Sequence, residues 1–140
     1  MATIKAYTDI SQSKKLAEIL PIESADMFYD GVQDLYEEKT YNIPMNGSSI
    51  TVRTGHIITE KGIKANLLLP AWSLAALLKV IPKHIKDYNV LRIDISENDT
   101  SIWYDEIGYG VNNDLPDTTK DNPIDACYEL ILKLNKLNLL

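Results

Sequence analysis

Two segments that open near a proline and then carry apolar residues at helical spacing most constrain this fold. They are residues 69–82 (LPAWSLAALLKVIP) and 121–137 (DNPIDACYELILKLNKL). Proline suits the first turn of a helix, where a backbone N–H has no partner to lose, so Pro70 is predicted to open the first segment. Apolar residues then recur there at i, i+3, i+4 and i+7, namely Leu74, Leu77, Leu78 and Ile81. Both segments are predicted to be helices that build the core and carry no chemistry.

The second of these segments has a complete set of helix-start signals. Asn122 is a good N-cap, Pro123 takes the first helical position, and Asp125 favours the positive end of the helix dipole. Its predicted buried stripe, at helical spacing, comprises Ile124, Cys127, Tyr128, Ile131 and Leu134, widened by Leu130 and Leu137.

The rest of the chain reads as one more helix and a series of strands. Asp9 and Gln12 form a capping-box pattern before a short amphipathic segment that ends at Pro21. Asn46-Gly47 and residues 60–62 predict hairpin turns. The predicted strands are residues 25–29, 39–43, 50–53, 57–59, 63–67, 91–95 and 101–107. These elements predict a single α+β domain over residues 1–140, with about three helices packed on a mainly antiparallel sheet of five to six strands.

Strand alternation is clear in one late strand and ambiguous in the next. Leu91, Ile93 and Ile95 alternate with polar residues, which predicts one dry and one wet face. Between residues 101 and 107, Trp103 and Tyr104 are adjacent, so a one-residue slip in register decides which of them faces inward. Both alternatives stand at this point. Residues 108–119 read as a long polar loop.

Composition narrows the class of protein. The chain has 140 residues, a formal net charge of −6 and a sequence pI near 4.8, which argues against direct binding to nucleic acid or to an anionic membrane. The first residues lack the apolar core of a signal peptide, and no run approaches the ~20 apolar residues of a membrane span. A lone cysteine, Cys127, excludes an internal disulfide. We therefore expect a cytoplasmic protein.

No catalytic or metal-binding pattern emerges from the reactive residues. His56 and His84 lie in no diagnostic motif, and Cys127 falls on the apolar stripe of its helix. Ser73 lacks a nucleophile elbow, and no phosphate-binding glycine loop occurs. Two histidines and one cysteine do not supply zinc-ligand spacing, and residues 112–121 lack the order of a calcium loop. We expect no cofactor and no metal, and the sequence leans against an enzyme without deciding the matter.

Acidic and aromatic residues concentrate in one part of the chain. Residues 94–125 contain nine acidic residues and one basic residue, Lys120. The simplest interpretation is a solvated segment that keeps the protein in solution. Large amphipathic side chains border this segment, and protein interfaces favour such side chains. The predicted contact patch consists of Trp103, Tyr104, Asp105, Glu106, Tyr109 and Asp114.

Three stretches of the chain also resemble a known group of proteins. They are residues 6–29 (AYTDISQSKKLAEILPIESADMFY), 69–82 (LPAWSLAALLKVIP) and 122–137 (NPIDACYELILKLNKL). In this order they are similar to a group of small uncharacterised proteins from gut Bacteroidales genomes, prophages and mobile elements. The resemblance implies a phage or mobile-element context and implies no catalytic residues.

Three classes of function fit these observations. The first is a non-enzymatic module that binds a host or phage protein through the contact patch, in its narrowest form by mimicking nucleic acid with its carboxylates. The second is a self-associating structural subunit that uses the apolar C-terminal residues Leu137, Leu139 and Leu140. The third is a small enzyme whose site is assembled from distant residues with His56 or His84 as the base.

Overall fold

The computed structural model describes residues 5–30, 48–51, 57–59, 62–64 and 68–140. The strand predicted at residues 39–43, the turn at Asn46-Gly47 and His56 lie outside the described residues. The chain divides into two compact units. The N-terminal unit is Asp9–Ser73, and the C-terminal unit is Met1–Thr8 together with Leu74–Leu140. The single-domain expectation stays a prediction.

The N-terminal unit combines one α-helix with short strands. Its central strand pairs in parallel with one neighbour and antiparallel with the other. Two further strands, on either side of the predicted turn at residues 60–62, pair antiparallel as expected, while residues 60–61 themselves lie outside the described residues. The elements are helix α1 (Ile10–Ile19), a 3₁₀ turn (Ile22–Ser24) and strands β1 (Met27–Asp30), β2 (Ser48–Thr51), β3 (Ile57–Thr59), β4 (Gly62–Lys64) and β5 (Leu68–Ala71). Strand β1 lies between β2 and β5, and α1 packs against β5.

Helix α1 begins at the predicted capping box. The Asp9 carboxylate accepts the backbone N–H of Gln12 at 2.7 Å, and the Gln12 side-chain oxygen accepts the backbone N–H of Asp9 at 3.1 Å. These bonds satisfy two N–H groups that a helix start would otherwise leave without partners. The sequence signal therefore placed this helix start correctly.

Pro70 lies in a strand, and the prediction that it opens a helix was wrong. It sits in β5 opposite Phe28 of β1, and the helix that follows begins four residues later, at Leu74. Because β5 is the edge strand of its sheet, a residue without an N–H is tolerated there. The helix start is instead marked by Ser73, whose N–H and hydroxyl both donate to the Asp26 carboxylate.

The C-terminal unit packs two helices with a five-stranded sheet. Its elements are helix α2 (Leu74–Val80), strands β6 (His84–Ile85), β7 (Asn89–Ile95), β8 (Thr100–Glu106), β9 (Gly110–Val111) and β10 (Thr118–Lys120), and helix α3 (Pro123–Lys136). The sheet order is β10-β8-β7-β6, with β9 also pairing on β8, and every pairing is antiparallel. Helix α3 packs against β8, β10 and α2.

Burial along β8 settles the register that the sequence left open. Thr100, Ile102 and Tyr104 are buried, whereas Trp103 and Asp105, which point to the other face, are partly exposed. Since α3 packs against β8, the first set forms the inner face of the sheet and the second set lies on the outer face. Tyr104 is therefore a core residue, and its hydroxyl donates to the carbonyl of Pro82 at 2.7 Å.

The dry face predicted for β7 is only partly dry. Ile93 pairs with Ile102 and Ile95 pairs with Thr100, so both isoleucines lie on the inner face of the sheet. Their side chains nevertheless remain 38% and 60% exposed. Helix α3 packs on β8 and β10, and the apolar face of the sheet extends beyond these strands to β7.

Helix α3 follows its predicted pattern closely. The Asn122 side-chain oxygen accepts the N–H of Asp125 at 2.9 Å, and Pro123 is the first helical residue. Two members of the predicted stripe differ from expectation, because Tyr128 is partly exposed and Leu137 is 54% exposed. Leu137 follows the last helical residue, so it lies past the packed part of the helix. The buried residues are Ile124, Ala126, Cys127, Leu130, Ile131 and Leu134.

The α+β fold class is confirmed. Three α-helices occur among the described residues, the largest sheet has five strands, and all strand pairings except β1 with β2 are antiparallel. Within the described part of the chain, no helix is long and apolar enough to cross a membrane.

Replacing the N-cap of α3 tests how far this helix depends on its local start signal. Asn122 is 1% exposed, and its amide also donates to the Asp125 carboxylate at 2.9 Å. We expect Asn122→Ala to lower the free energy of unfolding by about 1–2 kcal/mol, because the cap and its side-chain bond are both lost. Urea denaturation measures this, with the exposed Asn98→Ala as the matched control. Equal midpoints for the two variants would contradict the role given to the cap.

Candidate interaction surface

Four large apolar side chains are exposed together at one end of the five-stranded sheet. They are Tyr88, Ile107, Tyr109 and Val111, which are 48%, 61%, 85% and 55% exposed. We call them the end-of-sheet cluster. The Ile107 N–H donates to the Tyr88 carbonyl at 2.8 Å, and Val111 pairs with Asp105 in the neighbouring ladder. The cluster is therefore built on adjacent strand ends, which hold its backbone in place.

Two turns shape this end of the sheet. In the first, the Tyr109 N–H donates to the Glu106 carbonyl at 2.9 Å and closes a turn whose third residue, Gly108, has φ +88°. A type II turn requires positive φ at that position, which glycine adopts without strain. In the second, between β6 and β7, Lys86 and Asp87 have φ 54° and 62°. Left-handed backbone at two consecutive non-glycine residues is uncommon, and it directly precedes Tyr88.

Trp103 and Asp105 lie on the outer face beside the cluster and are engaged with each other. The Trp103 indole N–H donates to the Asp105 carboxylate at 2.8 Å, and Arg92 Nε donates to the other oxygen of the same carboxylate at 3.2 Å. Arg92 and Trp103 are direct cross-strand partners. The Asp105 carboxylate binds both neighbours, so its negative charge is largely offset by Arg92. On this face of the sheet, the apolar surfaces are therefore more available to a binding partner than the carboxylate is.

A buried amide network anchors the segment that contains Asp114. The Asn89 amide donates to the Ile85 carbonyl at 3.0 Å, and the Asn112 amide donates to the Asn89 side-chain oxygen at 2.9 Å. The Asn112 side-chain oxygen in turn accepts the N–H of Asp114 at 3.0 Å. Asn89 is 1% exposed, so the network ties the segment after β9 to the turn between β6 and β7. Asp114 itself is exposed.

The predicted contact patch is only partly assembled at the surface. Trp103 and Asp105 share the outer face, and Tyr109 belongs to the end-of-sheet cluster. Glu106, which follows Asp105 in β8, points to the opposite face, because successive side chains of a strand alternate between its two faces. Tyr104 does not belong to the surface, because its side chain is fully buried and burial raises the pKa of its hydroxyl.

Sequence reasoning missed three members of the cluster, namely Tyr88, Ile107 and Val111. Each lies at a strand end or in a turn, where an apolar residue has no periodic pattern around it. The available signal was positional: Ile107 and Tyr109 flank Gly108, and Val111 follows Gly110. Apolar residues interleaved with turn glycines are held at the surface, since turns run along the outside of a domain.

The cysteine is buried and unactivated. Cys127 is 1% exposed, and burial raises the pKa of its thiol to about 12 from 9.0, an effect that nearby Lys83 partly opposes. Burial likewise lowers the pKa of Lys83, and Cys127 opposes that shift. The Lys83 ammonium donates to the carbonyls of Leu78 and Ile81, where a cation stabilises the end of α2. This pair of groups therefore serves packing and capping.

The remaining candidates for chemistry are dispersed. His84 is exposed in β6, whereas His56 lies outside the described residues. The Ser73 hydroxyl is bound to Asp26 next to the buried Trp72, whose indole N–H donates to the Ser24 hydroxyl at 2.9 Å. Among the residues the structure describes, no group of three His, Cys, Asp or Glu side chains could hold a metal ion.

No protein-family model, no curated protein and no solved structure matches this chain. The case for a function therefore depends on the geometry of the described residues.

The burial of Cys127 gives the stability of the fold a defined pH dependence. Its folded pKa of about 12 lies above the usual 9.0, so the folded state keeps a proton that the unfolded state releases. The contribution of Cys127 is thus fully present below pH ~9 and is lost as the pH rises from 9 towards 12. We expect the stability difference between the protein and Cys127→Ala to shrink by about 1 kcal/mol per pH unit above pH ~9.

Urea denaturation of both proteins at a series of pH values measures this difference, and subtraction removes the titrations that they share. A thiol reagent applied at neutral pH supplies the control, because the folded protein should react far more slowly than the unfolded one. A difference that stays constant with pH, or rapid labelling of the folded protein, would contradict a buried protonated thiol.

Removing the central amide of the buried network is expected to loosen the segment that contains Asp114. Asn89→Ala removes the side-chain bond to the Ile85 carbonyl and leaves the Asn112 amide without its partner, so we expect the free energy of unfolding to fall by about 1–3 kcal/mol. Amide exchange at Asp114 should quicken as well. Asn113→Ala, at an exposed neighbouring position, is the control. Unchanged exchange at Asp114 in Asn89→Ala would show that the network does not anchor this segment.

Proposed function

We propose that this protein is a non-enzymatic interaction module of a phage or mobile element, which binds a host or phage protein through the end-of-sheet cluster. The observation that carries the proposal is the exposure of four large apolar side chains at one end of a sheet, with Tyr109 85% exposed. Isolated exposed apolar residues are ordinary, whereas a group of them on adjacent strand ends is typical of a binding surface.

The composition of the cluster supports protein recognition. Two of its members are tyrosines, which provide large amphipathic contact areas at low entropic cost and are enriched in interfaces. Trp103 extends this surface along the outer face, with its N–H already bound by Asp105. An aromatic surface with polar neighbours resembles the apolar core and polar rim of an interface. The proposal includes a cytoplasmic location, expected from the composition, and a mobile-element context, which the resemblance implies.

Two observations weigh against a catalytic function and against recognition by negative charge alone. The thiol of Cys127 is buried and protonated at neutral pH, and the Ser73 hydroxyl is paired with a carboxylate and not with a base. The carboxylates of Asp105 and Asp125 are each bound by a basic side chain, at 3.2 Å and 2.8 Å. The acidic segment is thus partly neutralised, which makes mimicry of nucleic acid the weaker form of the proposal.

A second candidate function is self-association as a structural subunit. Leu137 and Leu140 at the C-terminus are 54% and 45% exposed, which supplies an apolar surface separate in sequence from the cluster. Light scattering distinguishes the two candidate functions. The molecular mass of a self-associating subunit rises with protein concentration, whereas a module that binds other partners keeps the mass of one chain.

The experiment that tests the main proposal compares two matched double variants in affinity capture from lysates of infected and uninfected host cells. Ile107→Ser with Tyr109→Ser removes the two most exposed members of the cluster. Leu137→Ser with Leu140→Ser removes apolar surface elsewhere in the same unit. We expect a partner retained by the protein and by the C-terminal variant to be lost from the cluster variant.

Binding to that purified partner should then weaken by about thirtyfold or more, since two interface anchors are removed at about 1 kcal/mol each. Circular dichroism and melting temperature establish that both variants remain folded. Equal affinity of the two variants would overturn the placement of the site, and loss in the C-terminal variant alone would move the site to the C-terminal residues.

A further inference from the structure

The outer edge of β7 is open beyond the point where β6 ends. The β6–β7 ladder stops at His84 opposite Val90, and the next residue, Leu91, donates its N–H to the Lys83 carbonyl at 2.9 Å. Backbone groups of alternate residues point to the same side of a strand, so those of Ile93 and Ile95 point to the same edge as the N–H of Leu91. Among the described residues, no strand pairs with that edge beyond Leu91.

This edge carries an apolar face as well as backbone groups that no other described residue pairs with. Ile93 and Ile95 are 38% and 60% exposed on the inner face of the sheet. Each also offers one N–H and one C=O to a neighbouring strand. An edge that exposes both backbone groups and apolar side chains is a template for an added strand.

Two side chains of opposite charge, Arg92 and Asp94, lie on the outer face of β7 along the same edge. Arg92 is already paired with Asp105 at 3.2 Å. Asp94 is exposed, and in the described part of the chain no hydrogen bond or ion pair reaches its carboxylate. Asp94 lies between Ile93 and Ile95 along the strand and points to the opposite face. Among the described residues, the edge therefore presents one unpaired negative charge between two apolar positions.

We propose that this edge binds an extended segment of a partner protein with the pattern apolar–basic–apolar, which adds as a strand beside residues 92–95. The basic side chain lies opposite Asp94, and the two apolar side chains lie against Ile93 and Ile95. The surface is separate from the end-of-sheet cluster and does not depend on the function proposed above. It specifies the side-chain pattern that the bound segment of a partner must have.

Charge decides between such a partner and a second copy of this chain. Lys83 occupies the edge opposite Leu91, so a second copy can pair only along the residues that follow. Two-fold pairing that fills these residues is centred on Asp94 and places the two Asp94 carboxylates directly opposite each other. Like charges in that position are destabilising, whereas a basic residue there is favourable. The edge thus favours a foreign strand over self-pairing.

Two synthetic peptides test the proposal, acetyl-Ser-Thr-Ile-Lys-Ile-Thr-Ser-amide and the same peptide with Glu in place of Lys. Each is titrated into ¹⁵N-labelled protein to the millimolar range, and amide shifts and amide exchange are recorded. We expect the Lys peptide to shift the amide signals of Ile93 and Ile95 and to slow their exchange. We expect the Glu peptide to bind about fivefold more weakly, and Asp94→Lys to reverse this preference. Asp121→Lys, with the same change of charge at another exposed site, should leave it unchanged.

Ile95→Pro tests the backbone part of the proposal. Its N–H points to the open edge, so proline should be tolerated in the β7–β8 ladder while it blocks an added strand. We expect a folded variant that no longer binds the Lys peptide. Equal binding of both peptides, shifts confined to other residues, or full binding by a folded Ile95→Pro would overturn the proposal. Protection of Ile93 and Ile95 that rises with protein concentration without peptide would assign the edge to a second copy. If Ile95→Pro does not fold, the Asp94→Lys comparison alone decides.

Discussion

The buried inner face of β8 is the constraint on which the C-terminal unit depends. Ile102 and Tyr104 are fully buried on the strand against which α3 packs. Alternation continues to Thr100, whose hydroxyl is buried without a hydrogen-bond partner among the described residues. An unsatisfied hydroxyl costs about 1–3 kcal/mol. The unit accepts this cost because shifting β8 by one residue would move Ile102 and Tyr104 out of the core.

The same register determines what the surface displays. With Tyr104 inward, Trp103 and Asp105 must face outward, where they meet Arg92. With β8 paired to β7 along its whole length, the ladder carries Ile107 next to Tyr88 at one end. The opposite part of β7 extends past the residues that β6 covers. Both candidate surfaces therefore follow from one strand register. The end-of-sheet cluster lies at strand ends and the second surface lies at the edge of β7, which are the places where a sheet leaves groups unpaired.

The sequence predicted best those features that depend on local chemistry. The capping box at Asp9 and the N-cap at Asn122 were placed correctly because a side chain and a backbone N–H three residues away decide them. Pro70 failed because proline also suits an edge strand, and strand order is not a local property. Trp103 and Tyr104 could not be ordered by alternation alone. The end-of-sheet cluster was mostly missed because exposure of Tyr88 and Val111 depends on which strands end together.

The two nucleophilic side chains considered from the sequence, those of Cys127 and Ser73, are both engaged within the fold. A catalytic thiol or hydroxyl needs exposure and a nearby base, whereas Cys127 is buried with a raised pKa and the Ser73 hydroxyl is bound to Asp26. The polar groups with good geometry are used internally, as in the Asn89–Asn112 pair and the Trp103–Asp105 pair. The groups available at the two candidate surfaces, within the described part of the chain, are apolar side chains, strand-edge backbone and the carboxylate of Asp94. Such groups can bind a protein surface or an extended strand.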